Sequence, residues 1–95
     1  MSYAVYWYEG DLGPRYAGRL DLRDSSLELS GSGLGHRVLE SISFEDISSI
    51  RLSARRLRIS CLERGELDIG SVDGPGSLRE LAGHLASLVS DTPDL

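Results

Sequence analysis

The tightest constraint on this chain is how briefly its apolar residues alternate before each turn. Leu20 and Leu22 lie on one parity, with Arg19, Asp21 and Arg23 on the other. Asp24-Ser25 then turns the chain, and Leu27 and Leu29 resume the pattern with Glu28 between them. A two-residue period sends successive side chains to opposite faces of a strand, so such runs build sheets with one dry face and one wet face. Setting Leu22 opposite Leu27 places Leu20 opposite Leu29, which predicts a tight hairpin with both pairs on the buried side.

The same reading extends along the chain. Tyr3 to Tyr8 is an aromatic, β-prone run that ends in the loop residues Glu9-Gly10-Asp11-Leu12-Gly13-Pro14. SGSGLGH, residues 30–36, reads as a mobile hairpin loop. In the strand from Arg37 to Phe44, Glu40 shares the parity of Val38, Ile42 and Phe44, which predicts a bulge or a frayed start. Glu45-Asp46 interrupts the run, and Ile47, Ile50 and Leu52 lead into the next strand. A two-residue turn at Ala54-Arg55 pairs Leu52 with Leu57, Ile50 with Ile59 and Arg51 with Arg58. A three-residue loop, Glu63-Arg64-Gly65, pairs Cys61 with Leu67 and Ile59 with Ile69. About seven strands result.

After Val72 the period changes. Leu78, Leu81, Ala82, Leu85, Leu88 and Val89 form one stripe at helical spacing. Pro75 suits a first turn, and Ser77 with Glu80 has capping-box spacing. The expectation is a helix over about 75–89 and a polar tail over 90–95. Strands with one apolar face must close over a core, and one amphipathic helix after seven strands is best used to plug the open end. The predicted fold is therefore mainly β: a seven-stranded antiparallel barrel or sandwich over about 3–72, capped by one C-terminal helix.

Composition narrows the functional classes. The chain has 95 residues, room for one domain, and its 15 acids against 10 bases give a net charge of −5. All ten bases are arginine. Nucleic-acid binders are normally basic, so a general one is not expected. One cysteine excludes an internal disulfide and a cysteine-rich zinc site. No apolar run reaches the roughly 20 residues of a membrane span, and the N-terminus has no signal-peptide pattern. A soluble, cytoplasmic protein is expected, neither integral nor peripheral to a membrane.

Two segments resemble those of bacterial pleckstrin-homology-like and GRAM-like domains. Gly18-Arg19-Leu20-Asp21-Leu22 followed by Leu27-Glu28-Leu29 is similar to their opening hairpin. Ile42-Ser43-Phe44-Glu45-Asp46-Ile47-Ser48-Ser49-Ile50 is similar to a second shared segment. The Arg64-Gly65 hairpin and the helix start near Pro75 fall where such domains have them. The resemblance spans about residues 16–89 and rests on core and turn positions. It implies a single pleckstrin-homology-like domain over 1–95 that acts as a binding module for lipid head groups, peptides or protein domains, and several kinds of such domain self-associate. Fold alone does not transfer a ligand. Phosphoinositide-binding members carry a basic cluster around the first hairpin loop. Here that loop, residues 9–15, holds two acids and one arginine, so phosphoinositide is not the expected ligand.

Candidate contact residues fall in two groups. Residues 51–64 carry a local charge of +4 inside an acidic chain, and Arg51, Arg55, Arg56 and Arg58 are candidates for an anionic ligand or an acidic surface. Arg51 and Arg58, directly opposed, repel unless an acid intervenes. Asp68, diagonal to Arg58 in the register above, is the intramolecular alternative. Tyr3, Tyr6, Trp7 and Tyr8 are candidates for an interface, because tyrosine and tryptophan are enriched at binding hot spots. Tyr3, Val5 and Trp7 share one face of their strand; Tyr6 and Tyr8 share the other. SGSGLGHR lacks the GK[ST] ending and following helix of a phosphate loop. His36, His84 and Cys61 show no spacing that brings them together. The sequence thus predicts no catalytic residues, no metal and no cofactor. It predicts a non-catalytic module for protein–protein contact or self-association, with the arginine-rich hairpin as the alternative site.

Overall fold

The computed structural model describes residues 2–9, 15–53 and 55–90. The loop over 10–14, Ala54 and the tail over 91–95, all named above, lie outside the described residues. Seven antiparallel strands form one curled half-barrel sheet: β1 (Ser2–Glu9), β2 (Arg15–Leu22), β3 (Ser26–Gly33), β4 (His36–Ser43), β5 (Ile47–Leu52), β6 (Leu57–Cys61) and β7 (Gly65–Ser71). A single 3₁₀ turn, Phe44–Asp46, links β4 to β5, and helix α1 spans Pro75–Ser90. The strand order is β4-β3-β2-β1-β7-β6-β5. The two ends of the chain's meander therefore meet at β1, and β4 and β5 are left as the edges.

The concave face is the apolar one. Val5, Trp7, Leu20, Leu29, Ile59 and Ile69 are all wholly buried there, each contributing about 1.5–3 kcal/mol on a transfer scale. Trp7 stacks on Tyr16, with ring centroids 5.7 Å apart. The predicted helical stripe covers this face: Leu78, Leu81, Ala82 and Leu85 are buried, and Leu88 and Val89 pack half-buried against the core. α1 rests on β5, β7 and the 3₁₀ turn. The backbones of β2 and β3 approach closely where Gly18 faces Gly31. A Cβ on Gly18 would stand 2.1 Å from the Ser30 carbonyl oxygen, so no larger residue permits that approach.

The hairpin pairs Leu22–Leu27 and Leu20–Leu29 are as predicted, as are Leu52–Leu57, Ile50–Ile59 and Arg51–Arg58. Four expectations need correction. Residues 30–36 are not a loose loop: β3 runs to Gly33 and β4 starts at His36, with only Leu34 (φ 54°) and Gly35 (φ 78°) between them. Two successive positive φ values make a primed turn, whose twist matches the flanking strands. β4 contains no bulge; its pairing with β3 is unbroken from His36 to Ser43. The bulge falls in β5, where the register shifts between Ile47 and Ser49 and the Ser48 hydroxyl donates to the Ser60 carbonyl (3.0 Å). That extra residue lets Ile47 and Ile50, three apart, point the same way. The β6–β7 register is two residues from the predicted one: Cys61 pairs with Gly65 and Ile59 with Leu67. Gly65 adopts φ 85° as the first residue of β7, so the turn is 62–64. Finally, α1 begins at Pro75, with Gly74 preceding it and Ser77 already inside the first turn, so Ser77 is not the cap.

Leu34 holds a left-handed conformation that costs an L-residue about 1–2 kcal/mol, with its side chain 75% exposed. Leu34→Asn is expected to stabilise the chain by about 1 kcal/mol, because asparagine tolerates this position of a primed turn. Urea denaturation measures it, and an unchanged or lower midpoint contradicts it.

Candidate functional site

The predicted contact residues divide between the two faces of the sheet. Trp7 is removed from any interface: it is 0% exposed and part of the core. Its indole N–H is buried and has no acceptor among the described residues. Tyr3 also faces inward, half-buried against the core. Burial, and then the nearby Glu80 carboxylate of α1, push its hydroxyl pKa upward. Tyr6 and Tyr8 take the opposite parity and lie half-buried on the convex face, their rings edge to face at 6.1 Å. Tyr6 lies flat over Gly70, where a Cβ would stand 2.1 Å from its ring.

The arginine hairpin reaches the same face. Arg56 places its guanidinium 4.8 Å from the centre of the Tyr8 ring. Arg15, which sequence reasoning did not single out, sits 4.6 Å over Tyr6. Its signal was available: a strand starting at residue 15 and running antiparallel to β1 sets Arg15 opposite Tyr8. Arg58 is held within the fold. Its Nε donates to Asp68 Oδ1 (2.8 Å) and its Nη2 to Asp68 Oδ2 (3.2 Å), while Nη1 lies 3.2 Å from Glu66. Asp68 is directly opposite Arg58, not diagonal to it, as the two-residue register change requires. This bidentate pairing draws Arg58 toward β7 and away from Arg51, its neighbour on β5. Arg55 lines a recess of about 430 Å³ with Tyr6, Ser71, Gly74, Pro75 and Leu78. The four predicted arginines therefore do not converge on one point.

The open edges form a second feature. β5 ends the sheet and lies against α1. Along it Ser48, Ser49, Arg51 and Leu52 are exposed and Ile50 is half-buried. Beside β4, sequence reasoning missed a charged cluster on the concave side. Arg64 Nη2 donates to Glu9 (2.7 Å) and to Glu40 (2.8 Å), joining β1, β4 and the β6–β7 turn. Glu40 thus keeps the parity of Val38 and Ile42 without a bulge because a cation meets it. Two acids of inward parity, Glu9 after Val5 and Trp7 and Glu40 between Val38 and Ile42, were the available sign. Glu9's carboxyl is pushed above its ordinary range, first by a hydrogen bond shared with Glu40, then by burial and Glu40's charge; Arg64 opposes this.

Cys61 is buried, and burial raises its thiol pKa, with Arg64 countering. A protonated thiol is a weak nucleophile. His84 lies on α1, 3.8 Å from Glu80, and His36 is exposed at the start of β4. Among the described residues no three of His, Cys, Asp and Glu are grouped to hold a metal ion, and no helix is long and apolar enough to cross a membrane. In comparison with known proteins, no family model and no curated protein sequence matches the chain.

Glu9 has a raised pKa in the folded chain, so its proton favours folding at low pH and that contribution is lost as pH rises through the folded value. Glu9→Gln removes the repulsion from Glu40 while Arg64 keeps Glu40 as a partner. The melting temperature of the variant relative to the parent is therefore expected to be higher at pH 7 than at pH 4. An equal or reversed difference between the two pH values contradicts this account.

Proposed function

We propose that the chain is a non-catalytic, pleckstrin-homology-like binding module of the bacterial cytoplasm that makes protein–protein contacts, an extended segment of the partner adding to the β5 edge beside α1. The observation that carries this reading is the unclosed sheet. β5 is its last strand, and α1 forms a wall alongside it. An edge strand offers unpaired N–H and C=O groups to a partner backbone, and neighbouring side-chain pockets select its sequence. Ile50 and the 44% exposed Leu52 supply apolar contact on that edge. The order of seven strands followed by one helix supports the resemblance read from residues 16–89. A protonated, buried Cys61 and two separated histidines give no nucleophile–base pair, which supports a binding role over catalysis. A second copy of the chain is one form such a partner takes.

A small anion held jointly by Arg51, Arg55, Arg56 and Arg58 is the weaker reading. Arg58 is committed to Asp68 and Glu66, and Arg55 lines a different recess.

The test is selection from a random peptide display library on the immobilised chain, with light scattering of the free chain from micromolar to millimolar concentration. Strand addition predicts either enriched peptides or a concentration-dependent dimer. In both cases the amides of β5 exchange more slowly in the complex, and Leu52→Asp weakens it by about tenfold or more. A strict monomer that enriches no peptide, or a complex that leaves β5 exchange unchanged, overturns the reading.

A further inference from the structure

We infer that the convex face of the sheet is a second, independent docking surface, and that it takes an acidic, extended protein segment. The inference does not rest on strand addition at β5.

Strand register places five residues in one row across the sheet. Arg15 on β2 is opposite Tyr8 on β1, Tyr8 is opposite Asp68 on β7, Asp68 is opposite Arg58 on β6, and Arg58 is opposite Arg51 on β5. Four interstrand steps separate the ends, a span of about 19 Å. Arg56 lies over the Tyr8 ring and Arg15 over the Tyr6 ring, which links the row to Tyr6. Arg15, Arg51, Arg56 and Arg58 are offset by Asp68 and Glu66, a net of +2 on a chain of −5. Among the described residues Arg15, Arg51 and Arg56 meet no carboxylate within ion-pair distance, whereas Arg58, Arg64, Arg19 and Arg23 each do.

Three physical points decide the partner. A guanidinium laid on an aromatic ring is fixed in orientation while its N–H edges still face outward, which lowers the entropy lost in forming a fork to a carboxylate. Tyrosine and arginine together make the composition of an interface core. The cations are spread along a row instead of gathered round a point, so the matching anion is itself extended: carboxylates carried at intervals along a chain. A long uniform polyanion matches the row less well, because the acidic remainder of the molecule repels it beyond these strands.

Binding of a fluorescent 12-residue peptide of alternating glutamate and serine, followed by anisotropy at 50 and 300 mM salt, tests this. Saturable binding is expected that weakens at least fivefold at the higher salt. Arg56→Gln should weaken it by about three- to tenfold, and combined Arg15→Gln, Arg51→Gln and Arg56→Gln by thirtyfold or more. Arg37→Gln, outside the row, should leave it within twofold, and the uncharged Leu52→Asn likewise, which separates this surface from the β5 edge. Tyr8→Leu, checked for folding by circular dichroism, should weaken binding although no charge is lost. Should Tyr8→Leu fail to fold, amide shift mapping on the parent chain replaces it, with perturbation expected at Tyr6, Tyr8 and Arg56. The inference is overturned if the peptide does not bind at millimolar concentration or if the triple variant binds as the parent does. It is equally overturned if single-stranded DNA of the same length, or vesicles with 30% anionic lipid, compete more tightly than the peptide.

Discussion

Everything in this fold depends on the one-sided burial of β1. That strand pairs with β2 on one side and β7 on the other, so it joins the first meander of the chain to the last. Its inward residues, Val5 and Trp7, are fully buried, and Tyr16 stacks on the indole. The outward residues Tyr6 and Tyr8 cannot share that core, because a strand sends alternate side chains to opposite faces. A continuous β1 with a tryptophan inside therefore fixes two tyrosines outside. The indole N–H, without an acceptor among the described residues, costs about 1–3 kcal/mol, offset by burial of the largest fully buried side chain of the core.

The outer face follows from this constraint. Tyr6 needs room over β7, and Gly70 provides it. Tyr8 presents its ring to Arg56, and Asp68, 6% exposed, lies between β1 and β6. A carboxylate so placed requires a cation with good geometry, since removing one partner of such a pair leaves an uncompensated charge. Arg58 supplies it in bidentate form. That commitment relieves the direct opposition of Arg51 and Arg58 and leaves Arg51 at the sheet edge. On the concave side Arg64 plays the corresponding part for Glu9 and Glu40, tying the β4 half of the sheet to the β6–β7 turn. Arginine thus meets buried and half-buried acids on both faces, and Arg15, Arg51 and Arg56, which meet no carboxylate among the described residues, join Arg58 in the cationic row.

Where local pattern decides structure, it was legible. The β2–β3 and β5–β6 registers and the face of α1 follow from alternation and helical spacing. Legibility failed where a single residue's conformation or a distant partner decides. The β6–β7 pairing moved by two residues, which keeps every side chain on its predicted face; parity arguments are blind to such a slip, and Gly65 at positive φ set it. The 30–36 segment read as loose because five of its seven residues are serine or glycine and its turn residue, Leu34, is atypical of a primed turn. Of the candidate site, the alternation on β1 correctly separated Tyr6 and Tyr8 from Trp7. The approach of Arg56 to Tyr8 was not legible, since it needs β1 beside β7 and β7 beside β6, a non-local order that no short window contains.

The claim on which the rest stands is an open half-barrel organised around β1. Amide hydrogen exchange of the free chain, residue by residue, tests it most directly. The account predicts the slowest exchange in β1 and β7, paired on both sides, and fast exchange at alternate positions of β4 and β5, where one side has no strand partner. Uniform protection of both edges, or fast exchange throughout β1, would contradict it.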